Sequence, residues 1–233
     1  MQIKDRNNKS LRLRAYSLIK DKILILALKP GEKIFEKRIA EYLDTSRTPV
    51  REALLLLESE GLVECESGNG YRVRALSGNE VSEFIGIRRA LELFAAPLIT
   101  ERITEFELRE LSENIRASEE YLSKGDMRNL LRCETEFHLI LYKSAHSQIF
   151  FRTISSLVDK FQLIRGTVLL SPDAVSISVS HHKMFLAALE KRNSQEFCNL
   201  IELHLNAALE QYKQSPLAML FEKPQEEAFA KPF

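Results

Sequence analysis

Few cysteines, no long apolar run and no net charge: each shortage narrows what this chain can be. Cys65, Cys133 and Cys198 are the only cysteines, widely spaced and without a CxxC pair, so they supply no disulfide framework. They are expected to be buried free thiols in a reducing compartment. The longest purely apolar run, Ile23 to Leu28, covers six residues, whereas crossing a bilayer takes roughly 20. The opening MQIKDRNNKS is polar and charged, so neither a signal peptide nor a membrane partner is expected, and the cytoplasm is the expected location. At 233 residues, 45% hydrophobic and 28% charged, the chain is nevertheless long enough to bury a core in one large or two modest domains.

The 33 basic and 33 acidic residues balance overall but not locally. Residues 1–75 hold 15 Lys and Arg against 11 Asp and Glu, a surplus of four positive charges. The remainder is acidic by the same amount, which predicts two modules with different partners.

The basic third divides by its punctuation. Leu11 to Leu28 reads as a helix stopped at KPGE, where Pro30 and Gly31 cannot continue it. A short helix is expected from about Glu36 to Leu43, and a third across SRTPVREALLLLESEGL. In the third, Thr48 is the expected N-cap with Pro49 at the first helical position. Val50, Ala53, Leu54 and Leu57 form an apolar stripe, and Gly61 is the stop. Arg47 and Arg51 lie near the positive end of that helix's dipole, an arrangement that costs stability until an anion arrives. LVECE and YRVR then alternate like strands around the turn SGNG, Ser67 to Gly70. Three helices and a small hairpin predict a winged helix-turn-helix that places its third helix in a DNA major groove and its wing near the backbone or minor groove.

The run from LKPGEKIFEKRIAEYL through SRTPVREALLLLESEGLVE to GYRV resembles the DNA-binding domain of the GntR family, in particular its FadR-like branch. That resemblance places Lys37, Arg47, Thr48, Arg51 and the wing glycine Gly68 at positions the family uses on DNA. The arginines would read guanine edges and the others would contact phosphate. Lys37 stands where the family usually has arginine, which keeps a phosphate contact and weakens any bidentate one.

From Ser77 onward there is almost no strand signal. Six helices are expected, near 79–102, 105–123, 126–145, 148–168, 172–191 and 194–213, joined by short turns such as SKGD and KRNS. The expected fold is therefore mainly α: a winged helix-turn-helix over 1–75, an all-helical bundle over 76–215, and a loosely held tail over 216–233.

Histidine is scarce, with five in the chain. Glu134 and His138 share a helix face at i, i+4. His182 and His204 are each 11 residues from Asn193 in the KRNS turn, so in an antiparallel hairpin they face each other about 16 Å from that turn at 1.5 Å rise per residue. Both lie in apolar helices, where an imidazole must be hydrogen-bonded, bound to metal or exposed at a cavity. Three imidazoles and a carboxylate suit Zn²⁺, Ni²⁺ or Mn²⁺. His181 competes with His182 for that role, and His146 reads as a capping or surface residue.

The C-terminal 150 residues resemble FCD, the all-helical ligand-binding domain of the FadR-like branch, in which an Asp and three His hold a metal at the floor of a pocket. By that resemblance Glu134, His138, His182 and His204 are the metal ligands, with glutamate in place of the usual aspartate. Ser144 to Ser147, SAHS, replaces a small-Gly-Asn turn. IRRALE, Ile87 to Glu92, matches the first long helix of FCD, and its Arg88 either pairs an effector carboxylate or forms an i, i+4 pair with Glu92. The expected function is a homodimeric DNA-binding transcriptional regulator, by default a repressor, on an operator of two-fold related half-sites. A small carboxylate acting at a metal, most simply zinc, would control it. The rivals are a regulator for which the metal is itself the effector, a cavity for an acyl chain, and an all-α metalloenzyme with a DNA-binding appendage. No HExxH motif or positioned general base supports the enzyme.

Overall fold

The computed structural model describes residues 2–66, 70–168 and 172–215. The chain divides into two compact units, Met1–Ala75 and Leu76–Phe233.

In the first unit, α1 (Gln2–Leu24) packs on α3 (Arg47–Ser59), with α2 (Glu36–Tyr42) beside α3. The core is made by Ala15, Ile19 and Ile23 of α1 and by Val50, Ala53, Leu54 and Leu57 of α3, all fully buried. This is the apolar stripe at i, i+3, i+4 and i+7 turned inward. Tyr16 Oη donates to Glu60 at 2.6 Å and Lys20 Nζ sits 3.1 Å from the same carboxylate, joining α1 to the end of α3. Here α1 stops at Leu24, four residues before the expected end, and Leu26 has φ +58°.

The start of α3 also differs from the expectation. Ser46, with extended ψ of 168°, is the N-cap in place of Thr48, and Pro49 is the third helical residue. Proline is tolerated there because none of the first-turn N–H groups has a partner within the helix. The other end is a Schellman motif: Gly61 has φ +71°, its N–H donates to Glu58 O, and Leu62 N–H donates to Leu57 O. Only a residue at ease with positive φ closes that motif without strain.

Three strands follow or flank these helices, β1 (Lys33–Ile34), β2 (Val63–Glu66) and β3 (Gly70–Val73), in the antiparallel order β1-β3-β2. The expected hairpin is β2 and β3. The extra strand β1 is two residues long, too short to carry any alternation, and pairs Lys33 with Arg72 and Ile34 with Tyr71. Gly68 lies outside the described residues, as does the segment 216–233.

The second unit is a bundle of seven described helices: α4 (Gly78–Arg102), α5 (Glu105–Lys124), α6 (Met127–Lys143), α7 (Gln148–Ser155), α8 (Val158–Val168), α9 (Pro172–Glu190) and α10 (Ser194–Lys213). The expected helix over 148–168 is thus two, separated at Ser156 and Leu157. Capping boxes start α4 (Ser77 with Glu80) and α5 (Thr104 with Glu107), and Gly125 at φ +67° ends α5. Short turns pair α5 with α6 and α9 with α10; α10 then lies on α4 and α5 on α9. Arg192, in the α9–α10 turn, donates to Thr100 O at 3.0 Å and fixes the turn against the end of α4.

Leu57 is fully buried where α3 meets α1. Leu57→Ala is expected to cost about 2–5 kcal/mol of the first unit's stability, read from its denaturant midpoint.

Candidate metal centre and nucleic-acid interface

The bundle axis brings together residues distant in sequence. His138 on α6, His182 on α9 and His204 on α10 are buried, and one ring nitrogen of each lies within 4.8 Å of the others. Ring centroids are 5.1 Å apart for His138 and His182, 5.4 Å for His138 and His204, and 5.3 Å for His182 and His204. The facing of His182 and His204 follows from the α9–α10 hairpin. Phe137 stacks on His182 at 3.8 Å and 8°, holding the ring's plane.

Burial holds all three imidazoles well below their usual pKa, and the nearby guanidinium groups of Arg88 and Arg165 add to the shift. Each ring is therefore neutral at pH 7 and keeps a lone pair. His182 Nε2 is buried without a hydrogen-bond partner, a costly state for a polar atom that a bound cation would relieve. A neutral trio with one orphaned nitrogen fits a first-row divalent ion.

Glu134 stands beside this group. It is fully buried, with Oε1 3.6 Å from His182 Nδ1 and Oε2 accepting from Ser178 Oγ at 2.8 Å. Burial pushes its carboxyl above the usual range, against the pull of Arg165 and Ser178. The three histidines form the tight group without it.

Arg88, on α4, is buried and makes the i, i+4 pair with Glu92 at 2.6 Å. Tyr142 Oη donates to the same Glu92 oxygen at 2.5 Å. Arg88 Nη2 also lies 3.1 and 3.2 Å from the two nitrogens of His138, only one of which can accept at a time. A guanidinium that would be destabilised by burial is kept charged by the Glu92 carboxylate. The expected i, i+4 pair with Glu92 is thus present, and it is interior.

A small cavity of about 30 Å³ opens beside the trio, its polar lining supplied by Arg88, Arg165, Ser178, His181, His204 and Gln211. His181 thus lines the cavity while His182 joins the trio. His146, at φ +46° after α6, is half exposed and 3.2 Å from Glu107.

In the first unit Arg47, Thr48 and Arg51 are exposed at the start of α3, and Lys37 is exposed on α2. Arg51 is not without a countercharge, as had been expected: its Nε and Nη2 each lie 3.3 Å from an oxygen of Glu36 on α2. The adjacent N-termini of α2 and α3 bring these groups together, although 15 residues separate them in sequence. Lys37 lies 3.6 Å from Glu41.

The model of the "Bacterial regulatory proteins, gntR family" matches residues 11–73, and that of the FCD domain matches residues 83–207, more than half the chain. The chain belongs to the GntR family. This GntR-family chain is similar to the HTH-type transcriptional regulator McbR of Escherichia coli (strain K12), 29% identical over 192 residues, covering 80% of this chain and 85% of McbR. It is also similar to the regulator YdhC of Bacillus subtilis (strain 168), 26% identical over 202 residues, with 86% and 90% covered. The solved structure of E. coli McbR/YncC superposes with a TM-score of 0.75 at 27% identity, covering 88% of this chain and 97% of that one. The GntR-family chain is accordingly a transcriptional regulator with a DNA-binding helix-turn-helix and an FCD domain, and not an enzyme. No described helix is long and apolar enough to cross a membrane.

Several site residues escaped sequence reasoning. Arg165, Tyr142 and Ser178 were not singled out; Arg165 alone had a signal, being one charge inside the apolar run FQLIRGTVLL. Among the cysteines, Cys133 is buried but Cys65 is exposed and Cys198 lies between, because Cys65 falls on a two-sided strand.

The depressed imidazole pKa values have a sign. The unfolded chain protonates these rings at about pH 6.5 and the folded chain does not, so the unfolded state binds more protons below that pH. Glu134, raised by burial, acts in the opposite direction as pH rises above the ordinary carboxylate value, one group against three. With metal removed by chelation, the second unit should lose stability as pH falls below about 6.5, by up to about 1.4 kcal/mol per pH unit for each imidazole. Urea midpoints from pH 7.5 to 5 check this, and a His138→Gln/His182→Gln/His204→Gln protein should show a flatter dependence.

Proposed function

We propose that this regulator is a homodimeric repressor whose two reading heads occupy two-fold related half-sites of a DNA operator, and that a small carboxylate entering the histidine cavity beside a divalent metal releases it. The observation that carries this reading is the meeting of three buried, neutral imidazoles next to the Arg88 guanidinium within the FCD domain.

Residues 1–75 are the reading module, and 76–215 the sensing module. At the operator, Arg47 and Arg51 read guanine edges, while Lys37, Thr48 and the wing glycine Gly68 contact phosphate. For Arg51 this means exchanging Glu36 for a base, an exposed ion pair worth about 0–1 kcal/mol. One recognition helix spans only a few base pairs, so two symmetric copies are needed for useful discrimination. A further relative, the HTH-type transcriptional repressor RspR of E. coli (strain K12), 26% identical over 202 residues, supports the reading as a repressor.

In the sensor, His138, His182 and His204 would hold the ion, zinc being the expected one and nickel or manganese also suited to the nitrogen-rich set. Bound there, the metal supplies a Lewis-acid anchor for a ligand carboxylate or hydroxyl oxygen. Glu134 lies behind His182 Nδ1, where it favours the tautomer that leaves Nε2 free for the ion, in the manner of an orienting carboxylate. Arg88 is held in place by Glu92 and Tyr142 beside His138; once His138 gives its one lone pair to the ion, its other nitrogen carries the proton, so Arg88 gives up that contact and turns its Nη2 donors to the ligand. The ligand changes DNA affinity only by its differential affinity for the two placements of the reading heads.

Elemental analysis of tag-free protein should find about one Zn, Ni or Mn per chain, lost in a His182→Ala/His204→Ala variant; no metal in either protein would sink the metal reading. Operator binding that follows metal and ignores organic acids would instead make the metal the effector. On DNA, Arg47→Ala and Arg51→Ala should each cost about 1–3 kcal/mol of specific binding, while Lys37→Ala should weaken all sequences alike and lower the salt slope by about one. Wild-type operator affinity in Arg51→Ala would remove α3 from the groove.

A further inference from the structure

The wall of the histidine cavity carries a second guanidinium that its neighbours do not neutralise. Arg165, on α8, borders the cavity with Arg88. Arg88 has Glu92 at 2.6 Å. For Arg165 the described partner is the neutral Thr135 hydroxyl at 3.1 Å, and among the described residues no carboxylate oxygen comes within the 4.0 Å of an ion pair. Glu134, whose charge acts on Arg165, has one oxygen engaged by Ser178 and the other 3.6 Å from His182 Nδ1 without a hydrogen bond.

Burial and the charge of Arg88 push the Arg165 guanidinium down to about 10, partly offset by Glu134. It stays charged at pH 7, and the Thr135 hydroxyl offsets only part of the electrostatic cost. Arginine is a planar fork suited to carboxylate, and a cation left in this state at a cavity wall is a site for an anion.

The charges around the cavity set the anion's valence. Arg88 and Glu92 cancel, and the three imidazoles are neutral. Glu134 can at most cancel Arg165. A divalent ion on the histidines then leaves an excess of two positive charges or more, so a monoanion leaves the cavity cationic and a dianion brings it close to neutral.

We infer that the effector of this regulator is a small dicarboxylate, one carboxylate directed to the metal and Arg88, the second held by Arg165, which makes Arg165 the residue that selects diacids over monoacids. The inference rests on the metal-assisted carboxylate reading proposed above. It adds the ligand's charge and the residue that reads it. Gln211 offers an amide donor along the cavity wall.

The test is calorimetric titration of the zinc-loaded, full-length protein with pairs of equal chain length, malonate against propionate and succinate against butyrate, and with inorganic phosphate. At least one diacid should bind tenfold or more tightly than its monoacid. Arg165→Gln should bring that ratio near one by weakening the diacid while leaving the monoacid unchanged. Arg165→Lys, which keeps the charge but not the planar fork, should retain a reduced preference; should Arg165→Gln fail to fold, a reduced preference in a folded Arg165→Lys protein supports the fork contact, and an undiminished preference overturns it. Equal binding of mono- and diacids by the wild type, or no binding of either, overturns the inference. Phosphate binding more tightly than every diacid would move the site to phosphorylated ligands and also overturn it. These binding arms stand apart from DNA: a diacid that binds through Arg165 without changing operator affinity would remove the release mechanism proposed above while leaving the role of Arg165 intact.

Discussion

The sensor bundle depends on one buried carboxylate. Glu92 receives Arg88 at 2.6 Å and the Tyr142 hydroxyl at 2.5 Å on the same oxygen, and without it Glu134 would face the two guanidinium groups of Arg88 and Arg165 alone. Removing one partner of such a pair leaves the other uncompensated, typically a loss of 3–5 kcal/mol. The carboxylate also decides orientation. It holds the Arg88 guanidinium between α4 and α6, so the charge reaches His138 and the cavity rather than solvent. Helix packing, charge state and ligand chemistry are therefore one arrangement seen at three scales.

The two units treat charge in opposite ways. The reading head keeps its basic groups outside, at the exposed N-terminal ends of short helices, where water and salt screen them and their use is to meet phosphate and base edges. The sensor places arginine, glutamate and histidine inside a low-dielectric core, where each group shifts the protonation of its neighbours. A long-range partner such as DNA suits the first, and a small ligand enclosed by protein suits the second.

Much of this was legible in the sequence because it rests on period and punctuation. The stripe Val50, Ala53, Leu54 and Leu57, the stop at Gly61, and the two histidines equidistant from Asn193 are local patterns that survive folding unchanged. What escaped depends on contacts between distant segments. Glu36 reaches Arg51 only once α2 and α3 are juxtaposed, and Glu92 serves Tyr142 across 50 residues of sequence. Strand β1 exists because Tyr71 and Arg72 offer it an edge. The break between α7 and α8 at Ser156 and Leu157 was missed because the helical apolar pattern runs through it. Arg165 was overlooked for a different reason: a single arginine in an apolar helix was not weighed, although the same logic applied to the histidines would have marked it.

The pair formed by Glu36 and Arg51 has a bearing on how such a protein finds its site. An internal carboxylate competes with every phosphate for the same guanidinium, and it does so equally along any stretch of duplex. In the contact proposed above for Arg51, a guanine edge presented in register would offer two acceptors in place of those that Glu36 supplies. On that reading Glu36 would be a built-in reference acceptor against which each sequence is compared.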